Sequence, residues 1–513
     1  MQNSEPNIVD LLNSHAPGSD AIAAPGMPSM PYQDLVNQGA HVRRKLNAAG
    51  IGADECVAIV VPNGPAMAAA FLAVAGTTAA APLNPAYKHA EFEFYLDDLK
   101  ASAVIVRRGF ESPAREVAAN HGISVIELDE PTDAQAGAFE LELAVGSGAA
   151  RAPTAGDTAL VLHTSGTTSR PKIVPLSHRN LLASAANIAE TLRLTSTDRC
   201  LNVMPLFHIH GLVAGVLASL ASGGSVACTP EFNATRFFAW VEQTAPSWYS
   251  AVPTMHQLVL ARAARNQEII KQRPLRFIRS SSASLPAPVM HKLESVFDCP
   301  VIESYGMTEA AHQMTSNPLP PAARKAGSVG IPAGPAVMLM SPTGAPVPSD
   351  EEGEIVIRGP NVTAGYANNP AANSEAFHAG DESGRWFRTG DLGVMDSDGY
   401  LRISGRIKEI INRGGEKIAP REIDDVLMEH PAVAQAVAFA VAHEKLGEDV
   451  AAVVVLQDGA SVDERELKNF ARKQLAGFKV PRQIVFAESI PKGPTGKLQR
   501  IGLAARLGFE SEA

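Results

Sequence analysis

Residues 163–172 read His-Thr-Ser-Gly-Thr-Thr-Ser-Arg-Pro-Lys, after the apolar run Ala159–Leu162. Four hydroxyls (Thr164, Ser165, Thr167, Thr168), backbone amides exposed around Gly166 and the cation of Lys172 make a device for holding a polyphosphate at the end of a buried strand. The Walker A spacing G-x-x-x-x-G-K-[ST] is absent. A Ser/Thr-rich surface loop has the same composition, so this stretch alone leaves both readings open.

Further segments follow in order: Pro205-Leu-Phe-His208-Ile-His210-Gly211, Glu303-Ser-Tyr305-Gly306-Met-Thr308-Glu309, Trp386-Phe-Arg-Thr389-Gly390-Asp391, Gly405-Arg406-Ile-Lys408-Glu409, Gly414-Gly415-Glu416-Lys417 and Pro494-Thr-Gly496-Lys497. Together with the loop they resemble the adenylate-forming superfamily of acyl-CoA ligases, luciferases and adenylation domains, from about residue 30 to residue 506. The resemblance implies an α/β fold. A large N-terminal AMP-binding domain (1–404), with βα sheets and a β subdomain, would precede a small mobile α+β C-terminal domain (405–513). It also implies ATP, Mg²⁺ and CoA as the reaction's small-molecule partners.

Carboxylates are poor electrophiles, and adenylation supplies AMP as a leaving group; the in-line displacement at phosphorus needs positioning, a divalent cation and fixed positive charge. By resemblance, Thr164–Thr168 and Lys172 grip the phosphates, and Glu309 offers Mg²⁺ a hard oxygen. Tyr305 gives adenine an aromatic face, with Ser282, Ala283, Ser284, Glu303, Ser304, Gly306 and Thr308 around the nucleotide. Asp391 clamps the ribose near Arg406. Lys497 is the lysine of adenylation, Lys408 the hinge, and His208 lies beside the reacting carboxylate. Arg413, Gly414 and Gly415 fall at the CoA-binding position. Each has a plainer alternative: a first-turn acid for Glu309, a core ring for Tyr305, a turn residue for Asp391, a surface lysine for Lys408 and a structural histidine for His208. Ser169 and Ile173 depart from the family's glycines, where close backbone approach would be easiest.

The strings Leu162–Lys172, Pro205–Leu212, Arg279–Leu285 and Met307–His312 closely resemble the oxalate–CoA ligases within that superfamily. Polar residues crowd the expected acyl site: His208, His210, Ser280, Ser281, Ser282, His312 and Gln313. A buried second carboxylate needs such donors, whereas a fatty acyl pocket is apolar. His208, Ser282 and His312 are therefore the expected oxalate ligands. The alternatives are another short or medium-chain acid, a luciferase-like oxidation, a carrier-protein adenylation domain or a non-catalytic nucleotide sensor.

Around these residues, amphipathic segments (Tyr32–Ala49, Pro65–Ala75, Ala90–Leu99) alternate with short apolar runs (Cys56–Val61, Ala103–Val106), the pattern of βα units. Residues 128–157 read as irregular, and the alternation resumes with a helix at Asn180–Leu192, a strand at Gly224–Cys228 and a helix at Ala234–Gln243. After residue 330 short strands dominate, with Asp398-Gly399 as a hairpin signal. Past Gly405 come a helix near Arg421–Glu429, two strands and a helix begun by a capping box Ser461-x-x-Glu464. A net charge of −10 argues against a broad nucleic-acid surface. Eight Lys/Arg against one Glu between residues 470 and 506 could still contact anionic CoA or form a solvated face. Four scattered cysteines without metal spacing and an N-terminus without a signal-peptide pattern make the cytoplasm the expected compartment. Ala66–Ala75 is too short to span a bilayer.

Overall fold

A computed structural model describes residues 5–143, 150–164, 171–381, 384–491 and 500–509. Two sheets dominate the N-terminal part. The larger has nine strands; at its centre Ser225–Cys228, Arg199–Asn202, Trp248–Ala251, Phe277–Ser281 and Val301–Met307 run parallel, in that spatial order, and His312–Ser316 returns antiparallel beside the last. Chain order reverses at Arg199–Asn202, whose neighbours are the next strand on one side and Trp248–Ala251 on the other. Such a reversal opens a crevice at the carboxyl ends of the strands.

The second sheet has seven strands, with Cys56–Val60, Ala79–Pro82 and Ala103–Arg107 at its centre and Thr158–Thr164 paired with Lys172–Ser177 at one edge. Helix Pro65–Ala75 is buried from Ala66 to Ala75, all round as its uniformly apolar sequence requires. It belongs to one continuous apolar core with Ile22 and Val226 of the larger sheet and Val57 and Ile105 of the smaller. Among the described residues no helix is long and apolar enough to cross a membrane.

An antiparallel sheet follows, in which Gly384–Met395 pairs with Glu352–Arg358, Phe377–Asp381 and Leu401–Arg406. Gly399, at φ +82°, turns the Asp398-Gly399 hairpin. Core membership then changes: Leu401 packs in the large core, while Ile411 begins a separate one with Ile418, Ile423, Leu427 and Val454. That smaller core is covered by helix Pro420–Met428 and the strands Val433–His443 and Gly447–Leu456.

Several expectations need correction. Residues 128–157 are not irregular throughout, because Glu140–Glu142 pairs with Ser124–Asp129. The helix expected at Ala234–Gln243 spans Phe237–Thr244, since Asn233 caps a preceding turn through Thr235 and Arg236. The capping box at Ser461 does not form. Helix Glu464–Ala471 is capped by Asp463, which accepts the Glu466 amide at 2.7 Å, while Glu464 accepts the Ile484 amide instead.

Candidate active site

Thr164 and Lys172 are register partners at the mouth of their hairpin, so the strand pair brings both ends of the hydroxyl-rich loop together. Ser165, Gly166, Thr167, Thr168 and Ser169 lie outside the described residues, as does Lys497. Ile173 is a buried ladder residue opposite His163, and its carbonyl accepts the Ala367 amide. Extended strand backbone accepts isoleucine readily, so this departure has a packing role.

Lys172 Nζ rests 4.4 Å from the centroid of the Tyr366 ring. The hydroxyl of that ring donates to Glu309 Oε1 at 2.8 Å. Glu309 is buried, and desolvation raises its carboxyl above the usual range, opposed by Tyr366 and by the more distant charges of Arg406 and Lys172. Tyr366 went unread in the sequence; no local spacing links it to Glu309.

Tyr305 is buried, and its hydroxyl donates to Asp391, whose other oxygen accepts Arg406 Nε at 2.6 Å. The strand Leu401–Arg406 pairs with Gly384–Met395 in a register that sets Asp391 opposite Arg406. Burial and the Asp391 charge hold the Tyr305 phenol protonated. Gly306 has a steric reason beside its expected nucleotide role: a Cβ there would lie 1.6 Å from the His312 carbonyl oxygen. Thr308 opens the single 3₁₀ turn that carries Glu309.

Glu303 is 1% exposed. Its side chain accepts the Leu285 amide at 2.8 Å and so holds the loop 282–285 from beneath; burial pushes the carboxyl up to about 7. Its backbone carbonyl is taken by Asn317 through both amide nitrogens, and that of Ser304 by the Ser281 hydroxyl, which leaves the loop itself as the polar edge facing the crevice. Ala283 is exposed there, and Ser284 Oγ accepts Arg421 Nη2 at 2.5 Å from the small unit.

The expected acyl end is a buried polar cluster. His210 starts the π-helix His210–Leu217; its Nε2 lies 2.6 Å from Ser250 Oγ and its Nδ1 3.0 Å from Ser282 Oγ. Gly211 permits that entry, since a Cβ would sit 2.4 Å from the Pro205 carbonyl. His312 is buried with its ring centroid 5.0 Å from that of His210. His208 stands against Phe207, its carbonyl accepting the Leu212 amide. Thus Ser282 and His312 come together around His210, a residue read as pocket polarity but not as their link.

In the small unit Lys408 lies in the exposed 3₁₀ turn Ile407–Glu409. Arg413 differs from an open CoA-binding cation: its Nε lies 2.6 Å from buried Asp449. Gly414 and Gly415, at φ +60° and +99°, close the turn between Ile411–Arg413 and Glu416–Ile418. In the basic segment Lys479 pairs with Glu422 and Arg500 with Asp424 and Glu409, so part of that charge is compensated internally.

A buried carboxylate beside Lys172, a tyrosine–aspartate pair and a C-terminal sheet with its own core are laid out in one chain. Residues 14–367 match the AMP-binding enzyme family and residues 422–497 its AMP-binding enzyme C-terminal domain. The chain belongs to that family. It is an AMP-forming acid–CoA ligase, using ATP and CoA and passing through an acyl-adenylate. Among its relatives, an oxalate–CoA ligase of Arabidopsis thaliana is 44% identical over 91% of each chain. A sulfoacetate–CoA ligase of Cupriavidus necator is 35% identical over 98% of each. ATP-bound MatB from Rhodopseudomonas palustris superposes with a TM-score of 0.87 over 98% of each chain, at 29% identity.

Proposed function

We propose that the acid is oxalate, activated as oxalyl-adenylate and released as oxalyl-CoA. The carrying observation is the donor cluster of buried His210 and His312 with half-buried Ser282, in a place where a fatty acyl ligase would need apolar walls. Both acids named for the two relatives bear a second anionic group on a frame of one or two carbons, which supports a small dianion here. In the first half-reaction a carboxylate oxygen attacks the α-phosphorus and diphosphate leaves. In the second the CoA sulfur attacks the acyl carbon and AMP leaves.

In this reading Lys172 and the loop from Thr164 hold the phosphates, Tyr305 and the backbone of the 282–285 loop the adenine, and Asp391 with Arg406 the ribose. His208 attends the reacting carboxylate. Lys497 stabilises charge during adenylation; the domains divide just past the boundary expected at residues 404 and 405, since the strand of the large unit runs on to Arg406, and Lys408 is their pivot. Arg413, Gly414 and Gly415 serve CoA through turn shape more than through free charge. Among the described residues no group of three or more His, Cys, Asp or Glu could hold a metal ion. Glu309 offers one hard carboxylate donor of the kind Mg²⁺ takes and would hold that cation near the phosphates. The four cysteines are free thiols, in keeping with a cytoplasmic enzyme.

The test is diphosphate release with CoA and a panel of short acids. Oxalate should be preferred, and Ser282→Ala and His312→Ala should each lower kcat/KM for oxalate about ten- to hundredfold while the KM for ATP holds. A wild-type preference for octanoate or 4-coumarate, or unaltered oxalate kinetics in both variants, overturns the reading.

A further inference from the structure

We infer that Arg279 is a positioning residue: the root of two directed hydrogen-bond branches that fix Ser282 and His312 as donors toward an acid carrying a second negative charge. This rests on the acid–CoA ligase reading of the pocket.

Arg279, on the strand Phe277–Ser281, is wholly buried in the middle of the nine-stranded sheet. Its nitrogens reach only neutral groups: Nη1 to Ser250 Oγ at 3.5 Å, and Nη2 to Gln313 Oε1 at 3.3 Å and His312 Nδ1 at 3.5 Å. Nε has no partner, and among the described residues no carboxylate lies within ion-pair distance. Burial lowers the guanidinium to about 9, which leaves it charged at neutral pH. A cation buried without an anion is costly to any fold.

Guanidinium can only donate, so Ser250, Gln313 and His312 accept from it, and in the inferred arrangement each proton beyond them is handed outward. When Ser250 Oγ accepts from Nη1, its own proton turns to His210 Nε2, 2.6 Å away. His210 then keeps its proton on Nδ1 and gives it to Ser282 Oγ at 3.0 Å, so the Ser282 hydroxyl hydrogen points onward. In the second branch His312 accepts on Nδ1 and carries its proton on Nε2. The two histidine rings are neighbours, so the branches converge. Ser282 and His312 also share an uncommon backbone, at φ +72° and +105°. Non-glycine residues hold such torsions where surrounding contacts over-determine them, frequently at ligand sites. Two converging donors above a buried cation complement an acid with an anionic group at each end; a monoanion engages the reacting end alone.

The experiment compares oxalate with glyoxylate, a monoanion on the same two-carbon frame, at saturating ATP and CoA. Ser250→Ala cuts one branch without touching substrate, and Arg279→Met removes the root. In both variants the ratio of kcat/KM for oxalate to that for glyoxylate should fall about tenfold or more, through the acid and not through the KM for ATP. Arg279→Lys should keep part of the ratio. Equal losses with both acids, a ratio unchanged in Ser250→Ala, or a loss carried by ATP would overturn the inference. A wild type that rejects oxalate but accepts another dianion ends the oxalate reading, and the same ratio measured with that acid and its monoanionic analogue then decides for Arg279. Preference for monoanions throughout refutes the inference.

Discussion

Tyr366 and Glu309 form a buried pair in which the phenol donates to the carboxylate at 2.8 Å while Lys172 lies over the face of the ring. One tyrosine thus spaces the cation from the anion and helps the anion stay ionised.

Tyr366→Phe keeps the ring under Lys172 and removes only the donor. Burial already raises the Glu309 carboxyl, and the lost hydrogen bond opposed that rise, so the variant's value moves further up. A bond to a charged group is worth about 1.5–3 kcal/mol. The acid limb of kcat/KM for ATP should shift upward, with near-normal activity well above it. An acid limb identical to the wild type's would remove Tyr366 from this role.

Glu303 makes folding stability pH-dependent in a direction that can be stated. Its folded value of about 7 exceeds the ordinary 4.5, so the stability it contributes is complete below about pH 4 and is lost as pH rises through 7. Glu303→Gln keeps an oxygen for the Leu285 amide and cannot ionise. Between pH 5 and 8 the variant should gain stability relative to the wild type by roughly 3 kcal/mol in denaturant titrations. Parallel curves across that range would show that the carboxyl does not titrate there.

A methyl group at Gly306 has nowhere to go, because the atom it meets is the backbone oxygen of His312 in the paired strand. Gly306→Ala should destabilise by about 1–3 kcal/mol or more and lose ATP binding as the hairpin opens. Gly477→Ala meets nothing within 4 Å and serves as the control. Equal melting temperatures for the two variants would contradict this account.

Much of this was legible before the structure. Pro65–Ala75 and Tyr32–Ala48 followed from their apolar pattern, and Cys56–Val60 and Ala103–Arg107 from short apolar runs, because buried parallel strands and helices leave those periodicities. The motif residues gave the expected nucleotide end, and the strand register sets Asp391 opposite Arg406. Ser250 and Arg279 were not legible as partners of His210 and His312. They sit on neighbouring strands inside a sheet, where sequence shows a strand but not which buried polar groups face each other. Tyr366 was hidden likewise, 57 residues from Glu309. Asp463 displaced Ser461 as helix cap because both are good caps, and tertiary contact of Glu464 with Ile484 decided between them.

Lys408 stands between two anchors that belong to different units. Arg406, two residues before it, is tied to Asp391 of the large antiparallel sheet; Glu409, one residue after, is tied to Arg500, which also holds Asp424 in the small unit's helix Pro420–Met428. Torsion about residues 407 and 408 would therefore swing one anchored body against the other without breaking either tie. Proline at 408 fixes its φ near −65° and restricts Ile407 as well. In Lys408→Pro, thioester formation from a supplied acyl-adenylate should fall at least about tenfold more than adenylation measured by diphosphate exchange, since only a change of domain arrangement between the two half-reactions demands the pivot. Lys497→Ala should show the opposite pattern, with adenylation abolished and the thioester step retained, if its charge serves, as proposed, only while diphosphate departs. Should Lys408→Pro turn over at the wild-type rate, the pivot lies at another residue of the linker.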